Sequence, residues 1–241
     1  IKRFFDFNCA LLGLIVLFPI LFLFSLLIFL QDFKNPFYIA PRVGKNEELF
    51  DMIKLRSMVV GADKTGVDST SSNDFRITTI GTLVRKFKLD ELTQLINVIK
   101  GDMSLVGPRP NVLNETRLYS KEEKKLLSMK PGITDFSSII FSDEAEILKD
   151  SEDPDIDYNQ LIRPGKSYLG LFYIDNSSFF IDLYLCFITV ITLLSRTYAL
   201  HLVNLLLIKL NADEALINIA LREKPLKPMP PPGLDDIIIS R

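Results

Sequence analysis

The stretch KLDELTQLINVIKGDMSLVGPRP, residues 88–110, carries the most specific pattern in this sequence. After the adjacent acids Asp90 and Glu91, apolar residues recur at helical spacing, at Leu92, Leu95, Ile96 and Ile99. Gly101 stands where helices commonly end, because glycine adopts the left-handed conformation just past the last turn without steric cost. The pattern predicts an amphipathic helix that opens on the acid pair and ends at Gly101.

The acid pair at this helix start is the first candidate site feature. A carboxylate in the first turn faces the partial positive charge of the helix dipole, so we expect Asp90 to stay ionised. An ionised carboxylate suits a nucleophile or a Mg²⁺ ligand better than a general acid. For an isolated aspartate, the alternative is an ordinary helix N-cap.

The same stretch ends in an arginine, Arg109, between two prolines. The prolines fix the backbone, which lowers the entropy lost when the guanidinium binds an anion, and phosphate oxygens match its planar fork. The alternative is a surface turn whose arginine pairs with a carboxylate. Further cations lie upstream at Arg76, Arg85 and Lys86, so acids and cations together indicate a site for a phosphorylated substrate. Neither common glycine-rich phosphate loop is present, so a P-loop or Rossmann nucleotide site is not expected.

Between residues 37 and 60 the pattern changes to short strands. In residues 53–56, Ile-Lys-Leu-Arg, apolar side chains alternate with two cations, which a strand projects from one face. We predict that Lys54 and Arg56 bind substrate phosphate. Residues 61–74 are rich in Gly, Ser, Thr and Asp and predict a mobile loop. Strands followed by helices predict a small α/β domain with an irregular sheet.

Residues 9–30 form an unbroken uncharged run of 22 residues. As a helix this run is about 33 Å long, enough to cross a hydrocarbon core of about 30 Å. A secretory signal peptide fits poorly, because the run is too long and no small-residue cleavage site follows. The remaining alternative is a buried core helix, and we predict membrane association.

The flanks of this run do not decide its orientation. Basic residues stand on both sides, with Lys2 and Arg3 before it and Lys34 and Arg42 after it, so the positive-inside rule gives no direction. Pro19 lies near the middle, where it removes a backbone hydrogen bond and bends a helix. Both facts favour a helix that breaks at Pro19, enters from the cytoplasm and returns. A plain spanning helix is the alternative, since transmembrane helices tolerate proline.

The composition excludes several classes of protein. The chain has 241 residues and a net charge of −2, and without a basic run it is not expected to bind nucleic acid. Cys9 and Cys186 both lie in apolar stretches, which is typical of reduced cysteines packed as small hydrophobes. His201 has no partner at metal-ligand spacing, so a histidine-based metal site is not expected.

Motifs spread over residues 1–195 agree in type and order with one protein family. They are Lys2-Arg3 with Asp6, Arg42 with Gly44, residues 54–58, Asn73-Asp74 with residues 76–78, Gly81, Leu83, Arg85-Lys86, residues 89–92, residues 101–110, residues 130–134, and residues 176–179 with Asp182-Leu183. On these residues the chain resembles the bacterial sugar transferases, the monotopic phosphoglycosyltransferases that initiate glycan assembly.

The resemblance implies a mechanism and a set of roles. Asp90 attacks the sugar-bearing phosphate of a UDP-sugar, UMP leaves, and a polyprenyl (undecaprenyl) phosphate takes the phosphosugar from the covalent intermediate. Glu91 is a Mg²⁺ ligand, Arg109 and Arg85 hold phosphates, and the membrane helix breaks at a proline that matches Pro19. The enzyme then works at the inner leaflet of the bacterial cytoplasmic membrane, with its catalytic domain in the cytoplasm. A homodimer is compatible with this arrangement.

We predict three regions: a membrane-anchoring helix at residues 1–35, a catalytic domain at 36–195, and a helical extension with a proline-rich tail at 196–241. The tail, residues 225–232, is expected to be extended and dispensable for chemistry. Three departures from the family stand out: Phe18 replaces a serine, Thr93 replaces a proline, and residues 135–138 replace a glycine-tryptophan segment. An alternative function is a catalytically silent membrane scaffold for glycan enzymes, against which the intact Asp90-Glu91 pair and Arg109 argue.

Overall fold

The computed structural model describes residues 1–67, 69–223 and 225–239. Its helices are α1 (Lys2–Asp32), α2 (Thr79–Lys86), α3 (Leu89–Leu92), α4 (Leu95–Lys100), α5 (Leu113–Arg117), α6 (Phe136–Ile140), α7 (Glu144–Ile147), α8 (Pro154–Asp157), α9 (Arg163–Asn176), α10 (Phe179–Leu194), α11 (Arg196–Lys209) and α12 (Glu214–Leu221). A π-helical turn, Tyr158–Ile162, joins α8 to α9, and 3₁₀ turns lie at Lys45–Glu47, Ala62–Thr65 and Glu123–Ser128. The chain is mainly helical.

Two small sheets complete the architecture. Strands β1 (Phe37–Val43) and β2 (Leu49–Leu55) pair antiparallel, with Ala40 opposite Met52. Strands β3 (Ser104–Val106) and β4 (Gly132–Thr134) pair parallel, with Val106 opposite Thr134. The predicted mixture of helices with a small, irregular sheet is therefore confirmed.

The predicted helix of residues 90–100 is present in two pieces, α3 and α4. Thr93 and Gln94, between them, keep right-handed helical backbone angles, so the chain continues in nearly the same direction. Gly101 follows with φ of 98°, the left-handed conformation that its position predicted. A glycine there ends α4 and sends the chain into β3.

Helix α1 is the one helix within the described residues that is long and apolar enough to cross a membrane. It has 31 residues and runs without interruption through Pro19, where the sequence predicted a break in the helix. Only 11% of its most apolar window is buried, which disfavours the core-helix alternative, because a core helix is buried on most sides. Exposed apolar side chains cover much of its surface, among them Leu12, Ile15, Val16, Phe18, Phe22 and Leu23.

Both ends of α1 are bonded to the rest of the molecule. Near its start, Asp6 accepts a hydrogen bond from Ser104 Oγ (2.7 Å), and Arg3 donates to the carbonyl of Ile99 (2.7 Å). At its end, Asp32 accepts from both terminal nitrogens of Arg56. Between these points α1 buries Ala10, Leu21 and Ile28 in two clusters that also include Leu55, Val84, Leu95 and Met103. The helix therefore lies along the domain rather than projecting from it.

The largest hydrophobic core lies between the C-terminal helices. It joins α6, α9, α10, α11 and α12 through buried side chains that include Phe136, Ile140, Leu169, Tyr173, Leu185, Val203, Leu207 and Leu216. Residues 196–221 share this core with the region that was assigned to the catalytic domain, so α11 and α12 pack on the domain.

Candidate functional site

The site begins where α3 and α4 dock against strand β2. Thr93 Oγ1 donates a hydrogen bond to the carbonyl of Ile53 (2.9 Å), and the Asn97 side chain bonds the backbone of Ile53 and Asp51 (3.0 and 2.7 Å). These bonds fix the acid pair beside Lys54, the next residue of the strand. Thr93, which departs from the family's proline, thus contributes a hydrogen bond that a proline cannot make.

The residue before α3 holds the acid pair in a tight turn. Lys88 has φ of 54° and ψ of 26°, the left-handed region that costs a non-glycine residue about 1–2 kcal/mol. Such backbone strain persists where surrounding contacts determine the conformation, and it is enriched at functional sites. Asp90 and Glu91 follow as the second and third residues of α3.

Two glycines position Arg109. The Gly107 amide donates to the Thr134 carbonyl and the Gly132 amide donates to the Pro108 carbonyl, both at 3.0 Å. A Cβ on Gly132 would lie 2.1 Å from the Gly107 nitrogen, closer than any side chain permits. The backbones at Gly107 and Gly132 are therefore in direct contact. Arg109 follows this contact in the chain, and its side chain reaches the acid pair.

Arg109 and Lys54 give the acid pair two cationic neighbours. Arg109 donates to Glu91 Oε1 in a partly buried ion pair. Burial raises the pKa of Glu91, but the positive charges of Arg109 and Lys54 outweigh it and hold this pKa below its ordinary value. Glu91 in turn raises the pKa of Arg109. Burial, assisted by the charge of Arg109, lowers the pKa of Lys54 to about 8.

Asp90 behaves differently from the expectation based on the helix dipole. Burial raises the pKa of Asp90 above its ordinary value, while the charge of Lys54 opposes that shift. A helix of four residues carries little macrodipole, so desolvation dominates. Within the described residues, Asp90 Oδ1 is buried without a hydrogen-bond partner. Such an atom is unusual in a folded protein, and it suits a group that receives a ligand.

The structure places the other predicted phosphate ligands unequally. Arg85, in the last turn of α2, lies close enough for its charge to favour ionised Asp90. Arg56 instead binds Asp32 through both terminal nitrogens and the Asn35 carbonyl through Nε (2.9 Å). Arg56 lies just past the end of β2, so the strand alternation from which it was grouped with Lys54 does not extend to it. Its bonds to Asp32 hold the end of α1.

Arg76 also has a structural role. Its guanidinium binds Asp74 and the backbone carbonyls of Ala62, Val67 and Ser69. These bonds organise the loop that was predicted to be mobile, in which Asp68 lies outside the described residues.

The acid pair fits a magnesium ion. Among the residues that the structure describes, no group of three or more His, Cys, Asp or Glu side chains could hold a metal by itself. Mg²⁺, however, is often bound by one or two carboxylates together with substrate phosphates. The unpartnered Asp90 Oδ1 and the adjacent Glu91 offer that incomplete set of oxygens. Bound there, Mg²⁺ would neutralise phosphate charge.

Sequence patterns missed a small cavity of about 20 Å³ behind Arg109, with room for about one water molecule. Its wall includes Asn111, Tyr119, Asp135, Tyr158 and Lys166, which come from separate parts of the chain. Asn111 Nδ2 donates to the Tyr119 hydroxyl (2.9 Å), and the Lys166 ammonium lies 5.2 Å from the Tyr158 ring centroid. Tyr119 and Tyr158 lie in no local motif, so only the fold brings them to Arg109.

Several known proteins are similar in sequence to this chain. An undecaprenyl-phosphate galactose phosphotransferase of Salmonella typhimurium is 33% identical over 216 residues, which cover 81% of this chain and 41% of that protein. A UDP-N-acetylgalactosamine-undecaprenyl-phosphate N-acetylgalactosaminephosphotransferase of Aeromonas hydrophila is 30% identical, with 81% and 44% covered. The uncharacterized sugar transferase EpsL of Bacillus subtilis is 32% identical, with 79% and 85% covered.

The chain spans less than half the length of the Salmonella and Aeromonas proteins, whereas it covers most of EpsL. The family description "bacterial sugar transferase" matches residues 1–196, which include α1, the acid pair, Arg109 and α10. This match covers far more than half of the 241 residues, and the chain therefore belongs to the bacterial sugar transferase family.

Proposed function

We propose that this protein transfers a sugar 1-phosphate from a UDP-sugar to a polyprenyl phosphate, releases UMP, and so starts the assembly of a surface glycan. The observation that carries the proposal is the buried, unpartnered Asp90 oxygen beside Glu91, Lys54 and Arg109. Two of the relatives are named for transfer to undecaprenyl phosphate, which supports the acceptor.

The proposed chemistry has two displacements at one phosphorus atom. An Asp90 carboxylate oxygen attacks the sugar-bearing phosphorus of the donor, and the bond from that phosphorus to the UMP oxygen breaks. UMP leaves with the bonding electron pair, and the phosphosugar is now bound to Asp90. An oxygen of the polyprenyl phosphate then attacks the same phosphorus, and the bond to Asp90 breaks.

The surrounding residues contribute orientation and charge. Arg109, held by Glu91 and by the Gly107–Gly132 contact, offers its remaining donors to phosphate oxygens. Lys54 supplies a positive charge that favours ionised Asp90 and attracts the donor. Fixed charges in a partly water-excluded site stabilise charge that develops during transfer, without reorganising at the moment of reaction.

The direct test is to incubate the purified protein with a panel of UDP-sugars, undecaprenyl phosphate and Mg²⁺, and to measure UMP. We expect UMP release that requires the lipid for multiple turnovers and that selects among the sugars. No UMP from any donor would contradict the proposal and favour a silent scaffold.

Replacing Arg109 by lysine tests the phosphate fork. Lysine keeps the charge but cannot offer the planar pair of donors, so Arg109→Lys is expected to lose about 1.5–3 kcal/mol of transition-state binding. The measurement is kcat/KM for the donor. Arg117→Lys, on an exposed position of α5, is the matched control and should stay close to wild type. Wild-type kinetics in Arg109→Lys would assign Arg109 to a structural turn.

We expect the deprotonation of Lys54 to set the alkaline limb of the pH profile of kcat/KM. Its pKa is about 8, so the ammonium is charged below that pH and neutral above it. Since kcat/KM reports the groups of the free enzyme, it should fall as the pH rises through about 8. Lys54→Arg keeps its charge at higher pH and should move the fall upward. If both proteins lose activity at the same pH, Lys54 does not set this limb.

For the membrane topology, we propose that both ends of α1 lie on the side of the membrane that carries the domain. The support is that its first residues bond to β3 and its last residues bond to Arg56, so both ends rest on one domain. A helix that crossed the bilayer would carry one of these contacts to the opposite side. Its exposed apolar side chains then face lipid, since extended exposed apolar surfaces mark contacts with membranes or with other proteins.

Cysteine labelling tests this topology. Ile1 is changed to cysteine after Cys9 and Cys186 are replaced, and Lys64→Cys reports the domain. In sealed protoplasts, an impermeant thiol reagent should label neither site until the membrane is opened. Labelling of Ile1→Cys alone in sealed protoplasts would mean that α1 spans.

A further inference from the structure

The segment after α12 is packed against the domain. We name residues 225–239 the C-terminal strap. The Met229 amide donates to the Gln160 carbonyl (3.1 Å), the Gln160 side chain donates to the Ile238 carbonyl (2.7 Å), and Ser120 Oγ donates to the Pro232 carbonyl. Pro231 and Pro232 are buried. The proline-rich tail, residues 225–232, was expected to be extended and dispensable for chemistry; the strap that contains it is bonded to the domain at three points.

A turn in the strap fits closely over the residues that it contacts. Gly233 has φ of 79°, and a Cβ there would lie 2.9 Å from Glu122 Cγ and 3.1 Å from Ser120 Oγ. The Leu234 amide closes the turn on the Pro231 carbonyl (3.1 Å). The shape of the strap is therefore specific to this surface.

The first segment under the strap leads to the cavity behind Arg109. Ser120 and Glu123 exchange hydrogen bonds (3.0 and 3.1 Å), and Glu123 binds Arg163 Nη2 at 2.6 Å with both side chains almost fully buried. The Arg163 guanidinium lies 5.3 Å from the ring centroid of Tyr119. Tyr119 lines the cavity and bonds Asn111, two residues beyond Arg109.

The second segment under the strap supplies the other tyrosine. Gln160, which binds the strap twice, belongs to the π-helical turn that begins at Tyr158. Extra-residue helical turns of this kind are rare and occur mostly at functional sites. The strap therefore contacts both chain segments that place a tyrosine in the cavity wall.

We propose that the C-terminal strap is a positioning element for the donor: it holds the two chain segments, carrying Tyr119 and Tyr158, that form the cavity wall behind Arg109, and so fixes the arginine that binds the donor phosphates. The strap lies outside residues 1–196, which match the family. The proposal rests on the proposed function, because it assigns Arg109 to the phosphates of the UDP-sugar. It acts on donor binding and leaves the Asp90 chemistry and the lipid acceptor unchanged.

The test compares two proline substitutions in the strap. Met229→Pro removes the amide that binds Gln160, whereas Lys227→Pro changes an exposed residue for which no hydrogen bond of the amide is found within the described residues. Each precedes a native proline, at 228 or 230, so the two variants are matched. Deletion of residues 224–241 removes the whole strap.

We expect deletion to raise the KM for the UDP-sugar roughly tenfold or more, since small misplacements remote from the chemistry have effects up to about 100-fold. Met229→Pro should raise it about fivefold, the scale of one hydrogen bond, and Lys227→Pro should not change it. The KM for undecaprenyl phosphate should stay within about twofold in all three. An unchanged donor KM in folded Met229→Pro, or parallel losses for both substrates, would overturn the proposal.

A readout independent of activity separates this proposal from the proposed function. Hydrogen exchange at residues 118–123 and 158–163 should become faster in Met229→Pro and stay at the wild-type rate in Lys227→Pro. Faster exchange in a protein that releases no UMP from any donor would refute the proposed function but leave the strap contacts in place. Unchanged exchange in an active Met229→Pro protein would refute the strap alone.

Discussion

Asp90→Asn is expected to lower UMP release by roughly a thousandfold or more while leaving the protein folded, because an amide cannot form the covalent link to phosphorus. The fold should survive, since Asp90 Oδ1 has no hydrogen-bond partner among the described residues and burial already disfavours its charge. The measurements are UMP release and the thermal unfolding midpoint.

A second aspartate on the same stretch provides the control. Asp102 accepts a hydrogen bond from Asn97 (3.0 Å) at the end of α4, and Asp102→Asn keeps an oxygen there. This variant should retain activity close to wild type. If Asp90→Asn kept a tenth of the wild-type rate, Asp90 would not be the nucleophile.

Glu123→Gln is expected to have the largest effect on stability. Glu123 accepts from Arg163 (3.0 and 2.6 Å), Ser167 (2.7 Å) and the Ser120 amide (3.0 Å), and its side chain is fully buried. Glutamine removes the negative charge and leaves the Arg163 guanidinium buried without a counterion. Loss of one partner of a buried ion pair lowers the free energy of unfolding by about 3–5 kcal/mol. Denaturant unfolding in detergent measures this loss.

The neighbouring residue is a matched control for this substitution. Glu122 pairs with Lys125 on the surface, where its side chain is 45% exposed, so Glu122→Gln should change the free energy of unfolding by less than about 1 kcal/mol. Equal losses in both variants would mean that the buried pair adds nothing beyond a surface charge.

Local patterns predicted the elements that depend on nearby residues. The helical spacing after Asp90, the end at Gly101 and the long apolar helix α1 all follow from periodicity or from the backbone freedom of glycine. Lys54, Glu91 and Arg109 were also predicted as site residues, because each belongs to a short motif with its own chemical signature. The structure brings these three residues together.

Features that depend on distant pairing could not be predicted. Arg56 was grouped with Lys54 from strand alternation, yet Asp32, 24 residues earlier, takes its guanidinium. The elevated pKa of Asp90 comes from burial by the whole domain, which no local pattern records. Tyr119 and Tyr158 reach the cavity only through the packing of segments held by Glu123 and the strap.

In the proposed mechanism, Asp90 carries the phosphosugar between the two substrates. Isotope exchange tests it most directly: the protein is incubated with a UDP-sugar, labelled UMP and Mg²⁺, without any polyprenyl phosphate. A covalent intermediate that forms reversibly must move label from UMP into the UDP-sugar, and Asp90→Asn must abolish that exchange. Full turnover with the lipid but no exchange without it would show direct transfer from donor to acceptor, and would contradict the account.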